Sequence, residues 1–170
     1  GLNDPASWEA ADIRLPGFSI PAMRAATASR PECVHFGAGN TFRGFIAMLS
    51  QRLLELWECA TGVIAAETFD FDIVDAIYRP YDNLALGVIL NADGTRDLQV
   101  LGSMAEAIKG TPNIADQWKR LKEIFSSESL QLVSFTITEK GYNLKNHEGE
   151  YLSYVLQDIE SGPEMSHGVM

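Results

Sequence analysis

Residues 33–44, Cys33-Val34-His35-Phe36-Gly37-Ala38-Gly39-Asn40-Thr41-Phe42-Arg43-Gly44, constrain this chain more than any other stretch. A short apolar run ends in two glycines one residue apart. Apolar side chains then recur at helical spacing: Phe42, Phe45, Ile46, Leu49, Leu53 and Leu56. The pattern predicts a strand over 32–36, a tight turn, and a helix over 41–57 with one apolar stripe against a sheet. That unit opens a dinucleotide-binding fold. Gly37 lets the chain turn sharply, Gly39 lets backbone approach a pyrophosphate, and the positive helix end receives the phosphates. Phe42 stands where a third glycine usually does. The same turn would serve a methyltransferase binding a nucleoside methyl donor, and the local pattern leaves both readings open.

The rest of the chain reads as a doubly wound α/β domain over 32–160. A continuous apolar run over 62–66 predicts a second, buried parallel strand. Glu67 and Asp70 follow it and are candidates for the carboxylate that hydrogen-bonds a ribose diol. Such a carboxylate favours NAD over NADP, because it repels a 2′-phosphate. Glu67 lies 30 residues beyond Gly37, against about 20 in the usual fingerprint, and a merely solvated strand end is the competing reading. A short helix over 73–78 is stopped by Pro80. Strands over 84–90 and 97–101 flank turn residues 91–95 and form an inserted hairpin. A short helix is predicted over 103–109. Ile114, Trp118, Leu121 and Phe125 mark an amphipathic helix, with Asn113 as its cap. A strand over 130–137 ends in the loop 138–142, and open α/β sheets bind ligands at such ends. Segment 1–31 carries Pro5, Pro16, Pro21 and Pro31 and reads as an arm with a short helix near 21–28. Residues 143–170 are polar, with no evident structural close.

Composition narrows the function. Among 170 residues the net charge is -10, which repels phosphate backbones and argues against nucleic acid. No apolar run approaches the roughly 20 residues of a membrane helix, and no signal-peptide pattern opens the chain, so a cytoplasmic protein is expected. Cys33 and Cys59 read as reduced core thiols. His35 reads as a satisfied core histidine. His147 and His167 have no partner at ligand spacing, so no metal is assigned. Arg43 opposes the helix dipole in the first turn, which suits a phosphate contact or a structural ion pair. Lys140 reads as solvated. No nucleophile and base stand at catalytic spacing, and no catalytic residue is assigned.

Four segments carry a resemblance. Residues 34–45 resemble the amino-terminal motif of the mannitol dehydrogenase family, the polyol-specific long-chain dehydrogenases and reductases. That family opens with glycine-x-glycine and a nearby arginine, without a strict third glycine. Leu132-Val133-Ser134-Phe135-Thr136-Ile137-Thr138-Glu139-Lys140-Gly141-Tyr142 resembles its strand and Thr-Glu-x-Gly-Tyr loop. Residues 100–103 resemble its hairpin return, and residues 158–163 its approach to a second domain. The resemblance implies a Rossmann-like, mostly parallel sheet and hydride transfer between a nicotinamide cofactor and a polyol or aldonate. It implies that Gly37, Gly39, Asn40, Phe42 and Arg43 contact the pyrophosphate side, that Thr138, Glu139 and Gly141 lie near the nicotinamide, and that Glu67 or Asp70 faces the adenosine ribose. It further implies that the catalytic lysine sits in a helical carboxyl-terminal domain that nothing here matches, with 161–170 the start of a linker to it. A non-catalytic nucleotide-binding module is the alternative.

Overall fold

The computed structural model describes residues 2, 4–137, 139–162 and 165. The amino-terminal arm holds α1 (Pro5–Ala10), the two-residue strand β1 (Ile13–Arg14) and α2 (Ile20–Ser29). Ser19 caps α2 by accepting the Ala22 N–H, and Pro21 sits in the first turn, where its missing N–H costs nothing. Next come β2 (Cys33–Phe36), a π-helical turn over Phe42–Ile46 running into α3 (Ala47–Glu55), and β3 (Val63–Glu67). A second π turn (Val74–Tyr78) and a 3-10 turn (Arg79–Tyr81) lead to β4 (Ala85–Leu90) and β5 (Arg96–Leu101). The chain closes with β6 (Met104–Lys109), α4 (Ala115–Phe125), β7 (Leu132–Phe135), a one-turn helix (Glu139–Tyr142) and α5 (Ser153–Ser161).

The main sheet has the order β6-β3-β2-β7, with every described pair parallel. Counted along the chain, that is third, second, first, fourth. β3 is buried at all five positions, because helices cover both faces of the sheet. On one face Val63 and Ala65 pack with Phe42, Ala47, Tyr78 and Met104. On the other, Val34, Ile64, Ala66 and Ile108 pack with Leu121 and Ile124 of α4. This is the doubly wound architecture read from the sequence. The hairpin β4–β5 does not extend that sheet. It pairs antiparallel and recruits β1 from the arm, in parallel, as a separate three-stranded sheet of order β1-β5-β4.

Several sequence expectations are corrected. Segment 103–109 is the edge strand β6, not a helix. Its alanines and methionine favour helix locally, but pairing with β3 from Met104 to Lys109 overrides that preference. Asn113 does not cap α4; the cap position is Ile114, whose side chain supplies no hydrogen bond. Strand 130–137 contracts to Leu132–Phe135, the length that β2 can pair. Residues 143–162 are more ordered than expected, with a Lys145–Tyr151 bridge and α5.

The largest correction concerns α3. Its buried positions are Phe42, Ala47, Gln51 and Leu54, a step of five across the π turn and then steps of four and three. The wider turn adds one residue and so rotates everything after it. Phe45, Leu49, Leu53 and Leu56, expected against the sheet, are instead 48% to 58% exposed. Gln51 lies on the buried face because both ends of its amide are used: Nε2 donates to Val100 O (2.9 Å) and Oε1 accepts the Gly102 N–H (2.7 Å).

Candidate functional site

The strand order reverses direction between β2 and β7, and the crevice outside their carboxyl ends is where open α/β sheets hold ligands. Gly37 begins that crevice. Its φ is +100°, and a Cβ built on it would lie 2.6 Å from Thr136 Oγ1 and 2.8 Å from the Thr136 carbonyl oxygen. Glycine is therefore required twice over, by backbone conformation and by the closeness of the chain leaving β7. The Gly37 N–H donates to Ala66 O at 2.9 Å, so the turn leaves the sheet still tied to β3.

The next residue is held from three directions. The buried Ala38 donates its N–H to Glu67 Oε2 at 2.8 Å. Its carbonyl accepts Arg43 Nη1 at 3.0 Å and the Tyr78 hydroxyl at 2.5 Å. Burial pushes the Tyr78 phenol up, which keeps it a donor. Gly39 is different: a Cβ there would meet nothing within 4 Å. It borders open space at the start of the helix, where the first N–H groups have no intrahelical acceptor. The N–H groups of Gly39, Asn40 and Thr41 find no acceptor among the described residues, so they remain available to an anion.

Asn40 is exposed and its side-chain oxygen accepts Arg43 Nη2. Arg43 lies 5.8 Å from the centre of the Tyr78 ring, and its described partners are neutral. Of the two readings for Arg43, the ion pair is not formed among the described residues. The Phe42 side chain is fully buried and stacks on His35 with ring centres 4.9 Å apart. It fills the sheet side of the turn, so only its backbone is placed to approach a ligand.

Glu67 is the last residue of β3 and is 8% exposed. Besides Ala38, it accepts the N–H groups of Thr68 (3.0 Å), Phe69 (3.0 Å) and Asp70 (3.2 Å) on Oε1. Asp70 is exposed. The structure thus brings Gly37, Gly39, Asn40, Phe42, Arg43 and Glu67 together, with Asp70 on the adjoining turn. Glu139 and Gly141 lie in the one-turn helix beyond β7. Thr138 lies outside the described residues.

His35 is a core histidine, as expected. It is fully buried, with Nδ1 2.8 Å from Ser134 Oγ and Nε2 3.0 Å from Thr136 Oγ1. Burial pushes its pKa down from the ordinary value. Cys33 and Cys59 are free and half-buried, and desolvation raises both thiols. Sequence reasoning missed Tyr78 as the residue that fixes the turn, because nothing in a short helix marks its hydroxyl as reaching residue 38. Among the described residues, no group of three or more His, Cys, Asp or Glu side chains is placed to hold a metal ion. Among the same residues, no helix is long and apolar enough to cross a membrane.

No family model matches the chain. It is 43% identical over 162 residues to a D-mannonate oxidoreductase of Thermotoga maritima, covering 95% of this chain and 30% of that protein. An uncharacterized oxidoreductase of Escherichia coli, YeiQ, is 29% identical over 109 residues, covering 64% of this chain and 22% of the relative. The chain thus spans less than a third of the curated relatives it matches. Two solved structures share its fold. A substrate-free D-sorbitol dehydrogenase has a TM-score of 0.73 at 21% identity, over 92% of this chain and 31% of that one. The mannitol 2-dehydrogenase of Pseudomonas fluorescens, solved with NAD and D-mannitol, has 0.72 at 20% identity, over 91% and 30%. With the glycine turn at the switch point of a parallel sheet, and with that identity along nearly its whole length, the chain belongs to the mannitol dehydrogenase family.

Proposed function

We propose that this chain is the dinucleotide-binding part of an NAD-dependent oxidoreductase acting on a polyol or aldonate, with a ketose or keto-uronate as the oxidised partner. The observation that carries the reading is the 43% identity to a D-mannonate oxidoreductase over 162 residues, which includes the turn at Gly37–Arg43. The turn suits a pyrophosphate: the N–H groups of Gly39, Asn40 and Thr41 have no acceptor among the described residues, they stand at a helix start, and Arg43 follows within one turn. Glu67, Asp70 and the net charge of -10 suit NAD better than NADP. The bound nicotinamide would supply the hydride acceptor or donor; the residues of this chain would hold it and fix which face it presents. Thr138, Glu139 and Gly141 are proposed to border the nicotinamide side. The base that takes the hydroxyl proton is proposed to lie outside this chain, with 161–170 leading towards it.

The test is a fluorescence titration of the chain with NADH, and in parallel with NADPH. Saturable NADH binding, tighter than NADPH, with no turnover of polyols or aldonates, is the expected result. Failure of either nucleotide to bind would refute the proposal for this chain, and polyol oxidation by the chain alone would refute the assignment of the base.

A further inference from the structure

We infer that Glu67 is a positioning residue: its buried carboxylate forms the phosphate-binding turn in advance of any ligand, acting through the Ala38 N–H. The consequence for binding rests on the dinucleotide reading above; the structural part does not.

A carboxylate has about four good acceptor positions. Glu67 accepts four backbone N–H groups, three on Oε1 from the turn that follows β3 and one on Oε2 from Ala38 in the turn that follows β2. It is 8% exposed. Without it, the Ala38 N–H would be a buried donor with no acceptor, a costly state in a group that water does not reach. The Ala38 carbonyl, which belongs to the next peptide group, is already held by Arg43 and Tyr78. Glu67 thus fixes the Gly37–Ala38 peptide plane; with the next plane held through the Ala38 carbonyl, the backbone angles of Ala38 are set, and so is the direction in which the following N–H groups point. It also joins the turns after β2 and β3, so that movement of one is felt by the other. A residue that only contacted a ribose would need none of these bonds.

The variant that separates the roles is Glu67→Gln. An amide has one acceptor end. If its oxygen serves Thr68, Phe69 and Asp70, its NH2 faces the Ala38 N–H, donor against donor; if it flips, the clash moves to the three-amide side. The first measurement is amide hydrogen exchange of the unliganded wild-type chain followed by NMR. Ala38, Thr68, Phe69 and Asp70 should all be protected, and exchange of Ala38 as fast as an open loop would overturn the inference. The second uses nicotinamide mononucleotide as a probe, since it has a phosphate but no adenosine ribose. A positioning role predicts that Glu67→Gln weakens its binding about tenfold, whereas unchanged binding of this probe would overturn the inference in favour of a ribose contact. Asp70→Asn serves as the comparison and should leave this probe unaffected. Protection at Ala38 together with no nucleotide binding by the wild-type chain would uphold the positioning role and defeat the dinucleotide reading, so the two failures are distinguishable.

Discussion

Replacing Gly37 by alanine puts the candidate site to its most direct physical test. The φ of +100° places an L residue in a region that costs roughly 1–2 kcal/mol. The new Cβ would also stand 2.6 Å from Thr136 Oγ1 and 2.8 Å from the Thr136 carbonyl oxygen. The hydroxyl rotates away only by giving up its bond to His35 Nε2, now 3.0 Å, and the carbonyl moves only with the backbone leaving β7. Overpacking of that kind costs about 1–3 kcal/mol, so the total loss is roughly 2–5 kcal/mol. Against a typical domain stability of about 5–15 kcal/mol, the variant should fold and show a clear fall in urea midpoint at unchanged slope. Gly39→Ala is the internal control. With no atom within 4 Å of its Cβ, it should leave stability unchanged or raise it by up to about 1 kcal/mol. The same methyl intrudes on the open space at the helix start and should weaken NADH at least tenfold. A loss below about 1 kcal/mol for Gly37→Ala would refute the reasoning about β7, and full NADH affinity in Gly39→Ala would refute the placement of the phosphate.

Three further outcomes are expected. Burial lowers the His35 pKa in the fold, so the unfolded chain takes up the proton first; His35 therefore favours the folded state fully above its ordinary 6.5 and loses that contribution as pH falls from there through the folded pKa. The stability difference between wild type and His35→Gln, followed by urea denaturation, should be flat above pH 7 and fall below 6.5 by up to about 1.4 kcal/mol per pH unit; a difference independent of pH contradicts this. Gln51→Leu leaves Val100 O and the Gly102 N–H without partners, and thermal or urea unfolding should report a loss of about 2 kcal/mol. Trp57 ends α3 at φ +60°, where its N–H donates to Leu54 O and the Glu58 N–H to Leu53 O, and its side chain is 78% exposed. Trp57→Gly keeps both bonds and removes the left-handed strain, so stability should rise by about 1 kcal/mol.

The strand, turn and first helix were legible because each is a local pattern. Cys33–Phe36 is apolar and ends at glycine, and the helix spacing begins at once. Glu67 could be nominated from sequence because a carboxylate at the end of a buried strand is conspicuous. What it does could not be nominated, because its partner Ala38 lies 29 residues away and offers a backbone N–H, which no residue type announces. The fate of β6 was hidden for a related reason: the residues from Met104 to Lys109 favour helix locally, and their conformation is decided instead by the β3 edge they reach.

The sequence by itself determined the α/β class, the position of the glycine turn and the hairpin at 85–101, since turn chemistry and hydrophobic period act over a few residues. It also determined that the first helix carries an apolar stripe. Only the tertiary structure decided which stripe is buried, because one π turn between Phe42 and Ala47 rotates the rest of the helix and leaves Phe45, Leu49 and Leu53 facing outwards. Only the tertiary structure decided that β1 crosses to β5, that β7 lies beside β2, and hence that Gly37 meets Thr136. Those contacts join residues up to 99 positions apart, and hydrogen bonding across that span depends on where the chain returns rather than on what stands beside it in sequence.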